Sequence, residues 1–436
     1  MGQDVRARAL EAGLTGTAGA LLPLHERLGR RVQVVIANAV ASDPLAEADR
    51  AALLDQPREI LRALEHVAGV VDAEQLWIAA RGTDFPVMSA LATARRSHPA
   101  VQVLSVEDVY PAGEASQLVL HATRRQVPPG AHPEDVGVMV INVHTLLLLA
   151  EAMRGLPMTW RYVTLAGVLE KPQVVRVPLG ALLGEVLEKA GGLKRADAVL
   201  LAGPASRARE VSAQTPLSVG MPTVLALPPD HALVQRGRLP FEQTLARAAS
   251  TCGGCRACTD RCPAALSGYR LAPHLLMRGL TQRQEQTEIV TGPASCLGCG
   301  LCEAVCPAGL SPGRLYGTVA GELRARGLSS LPSLPPGPVM AERVDRQVSR
   351  SWLVSRLGLA PYSEGLEVSR QLLPVSRVVL GLQGALPVVR EGETVAVASP
   401  LALPQAGAGR VPLFSPLSGR VVRLTSDVVE LRALDA

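Results

Sequence analysis

Aromatic residues are scarce in this chain: Phe, Trp and Tyr together make up 3% of its 436 residues. The hydrophobic core must therefore consist mostly of Leu, Val and Ala. Long hydrophobic runs are also missing, because the most apolar stretch, residues 136–153, contains Asn142, His144 and Glu151. A membrane-spanning helix needs about 20 mostly apolar residues, so we interpret this stretch as a buried strand followed by a helix.

Signals for export, lipid attachment and nucleic-acid binding are missing as well. The N-terminal residues Met1–Arg6 form neither the apolar core of a signal peptide nor a myristoylation motif. The net charge of +5 is modest and the basic residues are dispersed, whereas a nucleic-acid-binding surface concentrates them in a stripe. These absences predict a soluble, cytoplasmic protein with no nucleic-acid partner and no transmembrane segment.

All eight cysteines lie between Thr251 and Pro307, in two runs of identical spacing. The runs are Cys252-x2-Cys255-x2-Cys258-x3-Cys262-Pro263 and Cys296-x2-Cys299-x2-Cys302-x3-Cys306-Pro307. In bacterial ferredoxins with this spacing, three thiolates of a run hold one [4Fe–4S] cluster and the fourth ligates the other cluster. The spacing therefore predicts two clusters, one on Cys252, Cys255, Cys258 and Cys306, the other on Cys296, Cys299, Cys302 and Cys262.

The spacing favours iron–sulfur clusters over the two other common uses of cysteine. Disulfide frameworks are typical of short secreted chains, and this chain is long and has no secretory signal. Structural zinc usually takes two Cys-x-x-Cys pairs separated by a longer spacer. Four glycines beside the cysteines suit a backbone folded tightly around sulfur: Gly253, Gly254, Gly298 and Gly300. The predicted chemistry is one-electron transfer in a reducing compartment.

The remaining sequence predicts a multidomain chain that combines α/β and α+β folds. Over residues 1–158, apolar strands alternate with helical stretches, which indicates a largely parallel sheet. Residues 159–235 follow the pattern of a small β-grasp-like unit. The cysteine runs define a helical two-cluster domain, 240–326. The Ser-, Leu- and Pro-rich stretch that follows predicts a linker, 327–374, and the short strands of 375–436 predict an all-β module.

Several stretches carry a resemblance to a known family: Tyr110–Glu114 (YPAGE), Asn142–Thr145 (NVHT), Tyr162–Gly167 (YVTLAG), Leu271–Arg278 (LAPHLLMR) and Ser415–Val422 (SPLSGRVV). Along nearly its full length the chain resembles the cobalamin reductases of propanediol-utilising microcompartments. These are related to the RnfC component of Rnf-type electron-transport complexes, and both groups are similar to the flavin-binding subunit of respiratory complex I.

The resemblance implies a domain for each predicted region. It implies a complex-I flavin-subunit-like domain over 1–158, a soluble-ligand-binding β-grasp (SLBB) domain over 159–235 and a two-cluster ferredoxin-like domain over 240–326. At the C-terminus it implies a barrel-sandwich, lipoyl-like module. In the Rnf component that module is N-terminal, so its position here favours the cobalamin-reductase branch. No lysine stands at its turn, Leu417–Gly419, and we therefore expect docking rather than lipoylation.

The resemblance also implies a flavin mononucleotide (FMN) site in the N-terminal domain, with candidate contacts Gly16, Gly19, Arg27, Glu114 and Asn142. Two of the family's motifs are altered. Its Gly-Gly-Ala-Gly-Phe-Pro loop reads Ala-Gly-Ala-Leu-Leu-Pro over residues 18–23, and the leucine that replaces the third motif glycine is biased against positive φ. Its Asn-Gly-Ala-Glu-Cys-Glu-Pro reads Asn-Ala-Val-Ala-Ser-Asp-Pro over residues 38–44, which removes one carboxylate and shortens another.

Several single residues have a structural alternative to a functional role. Arg27 has the fork geometry to pair with a flavin phosphate, or it is a solvated arginine beside Glu26. Glu114 and Asn142 either line the cleft of the domain or cap a loop. His274 lies near the cysteines, where it either hydrogen-bonds to sulfur or is an ordinary histidine.

The leading functional hypothesis is an electron-transfer oxidoreductase subunit for which no catalytic side chain is predicted. Electrons would pass from flavin, and from NADH, through the two clusters to an acceptor, which by resemblance is a corrinoid. Expected partners are redox proteins, among them a corrinoid adenosyltransferase, in the cytoplasm, in a microcompartment lumen or at the periphery of a membrane redox complex. The alternatives are a relay or docking subunit without flavin, and a structural metal protein.

Overall fold

The computed structural model describes residues 2–19, 21–41, 43–282, 292–327, 335–363, 365–405 and 411–434. Over these ranges the chain is a mixed α/β protein of several packed units, as predicted. No helix in them is long and apolar enough to cross a membrane.

The N-terminal part is built on a four-stranded sheet, and we call it the parallel-sheet unit. Its strands lie in the order β3-β2-β1-β5, each parallel to its neighbours. The strands are β1 (Val34–Asn38), β2 (Gln75–Arg81), β3 (Val101–Val106) and β5 (Val138–Asn142). All five residues of the central strand β1 are buried, as expected of a parallel strand covered on both faces.

Seven helices belong to the parallel-sheet unit: α1 (Gly2–Glu11), α2 (Leu24–Arg27), α3 (Ala48–Asp55), α4 (Pro57–Val70), α5 (Phe85–Ala94), α6 (Ala115–Thr123) and α7 (Val143–Ala152). A short strand, β4 (Val109–Tyr110), lies outside the sheet. Strands β1 and β5 end at the same edge, where open parallel sheets commonly bind ligands. Helix α7 begins directly after β5, so its first turn also lies at this edge.

A six-stranded sheet of order β12-β7-β6-β10-β8-β9 follows, and we call it the mixed-sheet unit. Its strands are β6 (Trp160–Gly167), β7 (Gln173–Pro178), β8 (Val199–Ala202), β9 (Arg209–Val211), β10 (Thr223–Leu227) and β12 (Glu367–Leu372), with helix α8 (Leu183–Lys189). Strand β6 is antiparallel to β7 and parallel to β10. Both parallel and antiparallel pairs therefore occur in one sheet.

The predicted linker, residues 327–374, is more than a connector. Where the structure describes it, it contains β11 (Val348–Ser349), α16 (Arg350–Arg356) and β12. Strand β11 pairs antiparallel with β4, and β12 pairs parallel with β7. The Ser-, Leu- and Pro-rich composition on which the linker prediction rested falls largely on residues 328–334, outside the described ranges. The rest of the segment supplies backbone partners to two other units and so holds them together.

Within the described parts of residues 232–325, the cysteines lie among seven short helices, which we call the cysteine unit: α9 (Ala232–Arg238), α10 (Phe241–Thr251), α11 (Ala257–Asp260), α12 (Pro263–Leu266), α13 (Pro273–Gln282), α14 (Leu301–Ala304) and α15 (Pro312–Ala325). Its small core contains Leu276, Met277, Leu315 and Tyr316. Several cysteines pack against this core, so the loops that carry the thiols rest on a buried apolar base.

The C-terminal residues form two small sheets, of order β13-β19-β18-β15 and β14-β16-β17. The strands are β13 (Arg377–Gly381), β14 (Leu386–Pro387), β15 (Thr394–Val395), β16 (Pro400–Leu403), β17 (Leu413–Phe414), β18 (Gly419–Leu424) and β19 (Val428–Ala433). Val378, Val429 and Leu431 share one hydrophobic core with Val175 and Leu183 of the mixed-sheet unit.

Candidate functional site

The two cysteine runs fold in the same way. In each, a loop carries the first two cysteines into a four-residue helix, α11 or α14, that contains the third. The second residue after the first cysteine has a positive φ in both runs, +68° at Gly254 and +62° at Gly298. The fourth residue does too, +65° at Arg256 and +74° at Gly300. These left-handed residues turn the backbone around the thiols.

None of the eight cysteines forms a disulfide, and the electrostatic interactions between their thiols divide them into two groups of four. The thiols of Cys306, Cys252 and Cys255 lie close to that of Cys258. Those of Cys299, Cys296 and Cys262 lie close to that of Cys302. Each group thus contains three cysteines of one run and the last cysteine of the other. We call them the Cys258 group and the Cys302 group.

Burial keeps these thiols protonated when no cation is near. It raises the pKa of Cys258 to about 12 and that of Cys262 to about 11, and neighbouring thiols act in the same direction. The pKa of Cys302 also rises well above its usual value, mainly through burial. Metal binding deprotonates such thiols, so this donor set suits a strongly cationic, sulfur-preferring centre.

Backbone N–H groups point at several of the sulfur atoms. Gly298 N donates to Cys296 Sγ at 3.3 Å, and Leu310 N donates to Cys306 Sγ at 3.4 Å. Backbone donors of Ala265 and Ala264 act on the Cys262 thiol and lower its pKa against the larger effect of burial. Hydrogen bonds to sulfur stabilise negative charge on a bound cluster and tune its potential. The residues around the thiols therefore fit a cluster as well as the thiols do.

An arginine guanidinium faces the equivalent glycine of each run. A Cβ at Gly298 would lie 2.6 Å from Arg207 Nη1, and one at Gly254 would lie 3.4 Å from Arg278 Nη1. Arg207 also lowers the pKa of Cys296, against the larger raising effect of burial. A positive charge is thus placed beside each thiol group, by the mixed-sheet unit in one case and by helix α13 in the other.

Other units hold the loop of the second run directly. Tyr110 Oη and Ser206 Oγ donate to the carbonyl oxygen of Cys299 at 2.6 and 2.8 Å. Arg356 donates from Nε to Ala304 O at 3.0 Å and from Nη2 to Cys306 O at 3.2 Å. The parallel-sheet unit, the mixed-sheet unit and helix α16 therefore all contact the cysteine unit. No local motif marks Ser206 or Arg207, because their partners lie about 90 residues further along the chain.

His274 does not hydrogen-bond to sulfur directly. Its Nδ1 lies 2.7 Å from Thr259 Oγ1, and its backbone N–H donates to the same oxygen at 3.1 Å. The Thr259 hydroxyl hydrogen-bonds to the Cys258 thiol and lowers its pKa against the larger effect of burial. The histidine therefore acts on the Cys258 group through a threonine, an intermediary that the sequence alone does not indicate.

The altered glycine loop keeps the backbone shape of a glycine-rich loop. Leu21 has φ +52° and Gly19 has φ +69°, so leucine occupies a conformation that glycine adopts more readily. Thr17 fastens the loop to the first turn of α7: its N–H donates to Thr145 Oγ1 at 3.1 Å and its hydroxyl to Asn142 Oδ1 at 3.0 Å. The loop therefore lies at the carboxyl edge of the parallel sheet.

The side chains proposed to contact FMN are engaged by the protein itself. Arg27 Nη2 donates to Glu134 Oε1 at 2.6 Å and to Val140 O at 2.7 Å, so it is not a solvated arginine beside its neighbour. Glu114 caps α6 by accepting from Gln117 N at 3.1 Å. Asn142 caps α7 and donates to a half-buried aspartate, Asp49, at 2.7 Å. Both capping alternatives are thus present.

The second altered motif also has a structural role. Asn38 Nδ2 donates to Gly113 O at 2.9 Å. The fully buried Asp43 accepts from Thr223 Oγ1 at 2.7 Å and from Ala205 N at 3.2 Å, which joins the parallel-sheet and mixed-sheet units. Gly16 and Gly19 leave a loop whose backbone suits a phosphate, but the one cation among the five candidates is paired. In this arrangement the candidate residues do not fit the FMN phosphate.

Comparison with known proteins gives the family. Residues 9–151 match the Nuo51 FMN-binding domain, and residues 251–311 match a 4Fe-4S dicluster domain. The chain is 32% identical over 437 residues to the cobalamin reductase PduS of Citrobacter freundii, covering 98% of this chain and 96% of that protein. PduS of Salmonella typhimurium is also 32% identical, over 436 residues, with the same coverage.

More distant relatives share part of the chain. The RnfC-type component of the Na+-translocating ferredoxin:NAD+ oxidoreductase complex of Acetobacterium woodii is 27% identical over 277 residues, which is 62% of this chain and 60% of that protein. A crystal structure of an NAD+-reducing [NiFe]-hydrogenase in the H2-reduced state superposes with a TM-score of 0.51 at 17% identity, covering 79% of this chain and 66% of that one; this likeness concerns the fold. With a domain of the FMN-binding Nuo51 type and a 4Fe-4S dicluster domain that carries eight cysteines in two motifs, the chain is an iron–sulfur electron-transport protein and belongs to the family of the cobalamin reductase PduS.

Proposed function

We propose that this protein carries two [4Fe–4S] clusters and passes single electrons between them. One would be held by Cys252, Cys255, Cys258 and Cys306, the other by Cys296, Cys299, Cys302 and Cys262. The grouping of the eight thiols supports this assignment, because each group combines three cysteines of one run with the last of the other. When bound, the clusters supply one-electron chemistry. Exchange of the fourth ligand between the runs keeps the two centres close together.

The chain's own residues would set the potentials of the two centres. Backbone donors at Gly298 and Leu310 stabilise negative charge on sulfur. Arg207 and Arg278 place a positive charge beside each group, which favours the reduced, more negative state. Tyr110 holds the carbonyl of Cys299 and so fixes one cysteine loop against the parallel-sheet unit, where electrons would enter.

We further propose that the acceptor is a corrinoid, because the relatives that match over almost the whole chain are named cobalamin reductases. Partners would be redox proteins and a corrinoid adenosyltransferase. NADH would be the source of electrons only in a protein that binds flavin, because its hydride must be divided into single electrons before they reach the clusters. The site of action would be the cytoplasm, a microcompartment lumen or the periphery of a membrane redox complex. The domain assignment we propose is a complex-I flavin-subunit-like domain (1–158), an SLBB-like β-grasp (159–235), a two-cluster domain (240–326) and a barrel-sandwich module (375–436).

A relay without flavin is the second candidate function. Two observations favour it: Arg27 is paired with Glu134, and Leu21 replaces a glycine of the loop at φ +52°. We therefore route no step through FMN. Anaerobically purified protein would decide between the two, since released flavin fluoresces. Flavin that copurifies and is reduced by NADH supports the oxidoreductase, whereas its absence after reconstitution supports the relay.

Electron transfer to a corrinoid can be tested directly. Protein reduced with dithionite and freed of excess reductant is mixed anaerobically with hydroxocobalamin in a stopped-flow spectrometer. We expect the cluster absorbance to recover as cob(II)alamin appears. Cys302→Ser, which lacks one ligand of the second cluster, is the matched control and should react more slowly. A wild-type rate equal to that of the variant would contradict the proposal.

A further inference from the structure

A cavity of about 220 Å³ lies between the parallel-sheet unit and the cysteine unit. Its lining includes the segment around β4, with Val109 and Pro111, and two leucines of the cysteine unit, Leu266 and Leu301. Four residues of the segment predicted as a linker also line it: Arg343, Val344, Gln347 and Val348. The proposed electron-transfer function does not use the cavity itself, although Tyr110, which holds the carbonyl of Cys299, is one of its lining residues.

Positive charge collects at the cavity without a matching negative charge. Arg124, Arg261 and Arg343 line it together with one carboxylate, the exposed Glu107. None of the three arginines forms an ion pair with a residue in the described ranges. The pKa of Arg343 is lowered, first by burial and then by the guanidinium of Arg124. Both effects disfavour the charged form, and a bound anion would offset both.

A buried donor without a partner belongs to the same lining. Gln117 is 4% exposed, and its Oε1 accepts from Ser267 Oγ at 3.0 Å and from Arg343 Nη2 at 3.2 Å. These two donors fix which end of the amide is oxygen. Its Nε2 is buried and has no hydrogen-bond partner among the described residues. Buried N–H groups without an acceptor are rare in folded proteins, so this one lacks the partner that a bound acceptor would supply.

We propose that this cavity binds a small organic anion, a phosphate or carboxylate carried on an apolar body. The anionic end lies against Arg343 and Gln117 Nε2, with Arg124 contributing longer-range attraction. The apolar body lies against Val109 and Leu266. The mixed lining is typical of small-molecule sites, in which apolar walls provide contact area and a few polar groups fix orientation.

The test uses phenyl phosphate as the probe and inorganic phosphate as the comparison, by isothermal titration of the anaerobically reconstituted full-length protein. We expect saturable binding of phenyl phosphate, and weaker binding of inorganic phosphate because it has no apolar body. A parallel titration with benzoate shows whether the site prefers a carboxylate or a phosphate, because the two probes carry the same phenyl ring.

Gln117→Glu is the decisive variant, because it separates loss of binding from loss of folding. The new carboxylate still accepts from Ser267 and Arg343, so thermal stability should stay the same or rise. The introduced carboxylate lies where the anion of the probe would bind, and the two negative charges repel each other. We therefore expect the affinity for phenyl phosphate to fall at least tenfold. Arg343→Gln should weaken binding as well, whereas Arg96→Gln, at an exposed arginine outside the cavity, should not.

Undiminished binding by a stable Gln117→Glu variant would overturn the proposal, and so would failure of the wild type to bind phenyl phosphate or benzoate. The readout does not depend on the identity of the bound cofactors, so it stands apart from the test of electron transfer.

Discussion

Replacing the arginine beside one thiol group by a neutral residue should shift the reduction potential of the cluster bound by that group and leave the potential of the other cluster unchanged. Arg207 faces Gly298 in the second run, and Arg278 faces Gly254 in the first. Replacing either by Gln removes one positive charge and keeps a polar side chain of similar width. Because the reduced centre is the more negative one, loss of the charge makes reduction harder, and the potential falls.

The size of the shift follows from Coulomb's law. Both arginines are exposed, so we take an effective dielectric constant of about 40 and a separation of about 8 Å, which gives about 1 kcal/mol. For a one-electron couple, about 1.4 kcal/mol corresponds to 59 mV. The expected shift is therefore about 40 mV to more negative potential, and it should diminish at high salt.

The assay is a redox titration of the reconstituted protein, followed by electron paramagnetic resonance. We expect two one-electron waves in the wild type. Arg207→Gln should move the wave of the Cys302 group, and Arg278→Gln should move the other, so each variant is the control for its counterpart. Arg195→Gln, at a surface arginine paired with Asp197, should move neither. The reasoning is refuted if both variants move the same wave or if either shift is positive.

Three further predictions concern the glycine loop and the first thiol group. Leu21→Gly should raise the free energy of unfolding in urea by about 0.5–1 kcal/mol, because glycine adopts the left-handed conformation without strain, although its more flexible unfolded chain offsets part of the gain. Leu22→Gly, at the next residue, should lower the free energy of unfolding. Equal losses of stability in the two variants would contradict this account. Glu134→Gln should lower the free energy of unfolding by about 2 kcal/mol, because it weakens the hydrogen-bonded ion pair with Arg27. With its charge no longer neutralised, the Arg27 guanidinium should bind FMN more tightly in a fluorescence titration. An unchanged FMN affinity would argue against a phosphate contact by this arginine. Thr259→Val removes the hydroxyl between His274 and Cys258, whose hydrogen bond to the sulfur contributes about 1 kcal/mol. The reduction potential of the Cys258 group should therefore fall by about 40 mV. A shift in the potential of the other group instead would show that the threonine acts elsewhere.

The sequence predicted features that depend on local spacing. Short apolar runs between helical stretches located the buried strands of the parallel sheet, since a strand such as Val34–Asn38, apolar up to its last residue, is covered on both faces. The repeated cysteine spacing identified the eight thiols as candidate ligands, because three cysteines separated by two residues each can wrap around a single small metal cluster. The proposed ligand sets stay a prediction that the grouping of the thiols supports.

Features set by tertiary contact were not predictable from one sequence. Arg207 and Tyr110 reach the second cysteine run from distant parts of the chain, and nothing in their neighbouring residues indicates this. The pairing of β11 and β12 was not predicted from residues 327–374, because composition indicates turns but not which strand edges are open to accept a partner. The positive φ at Leu21 opposes the local preference of leucine, so the surrounding structure imposes it.

Cofactor content tests the central claim most directly. Protein purified or reconstituted without oxygen is analysed for iron and acid-labile sulfide and then reduced for electron paramagnetic resonance. Two [4Fe–4S] clusters predict about eight irons and about eight sulfides per chain, with signals from two neighbouring paramagnets. Zinc in place of iron, about four irons per chain, or no paramagnetic signal after reduction would contradict the account.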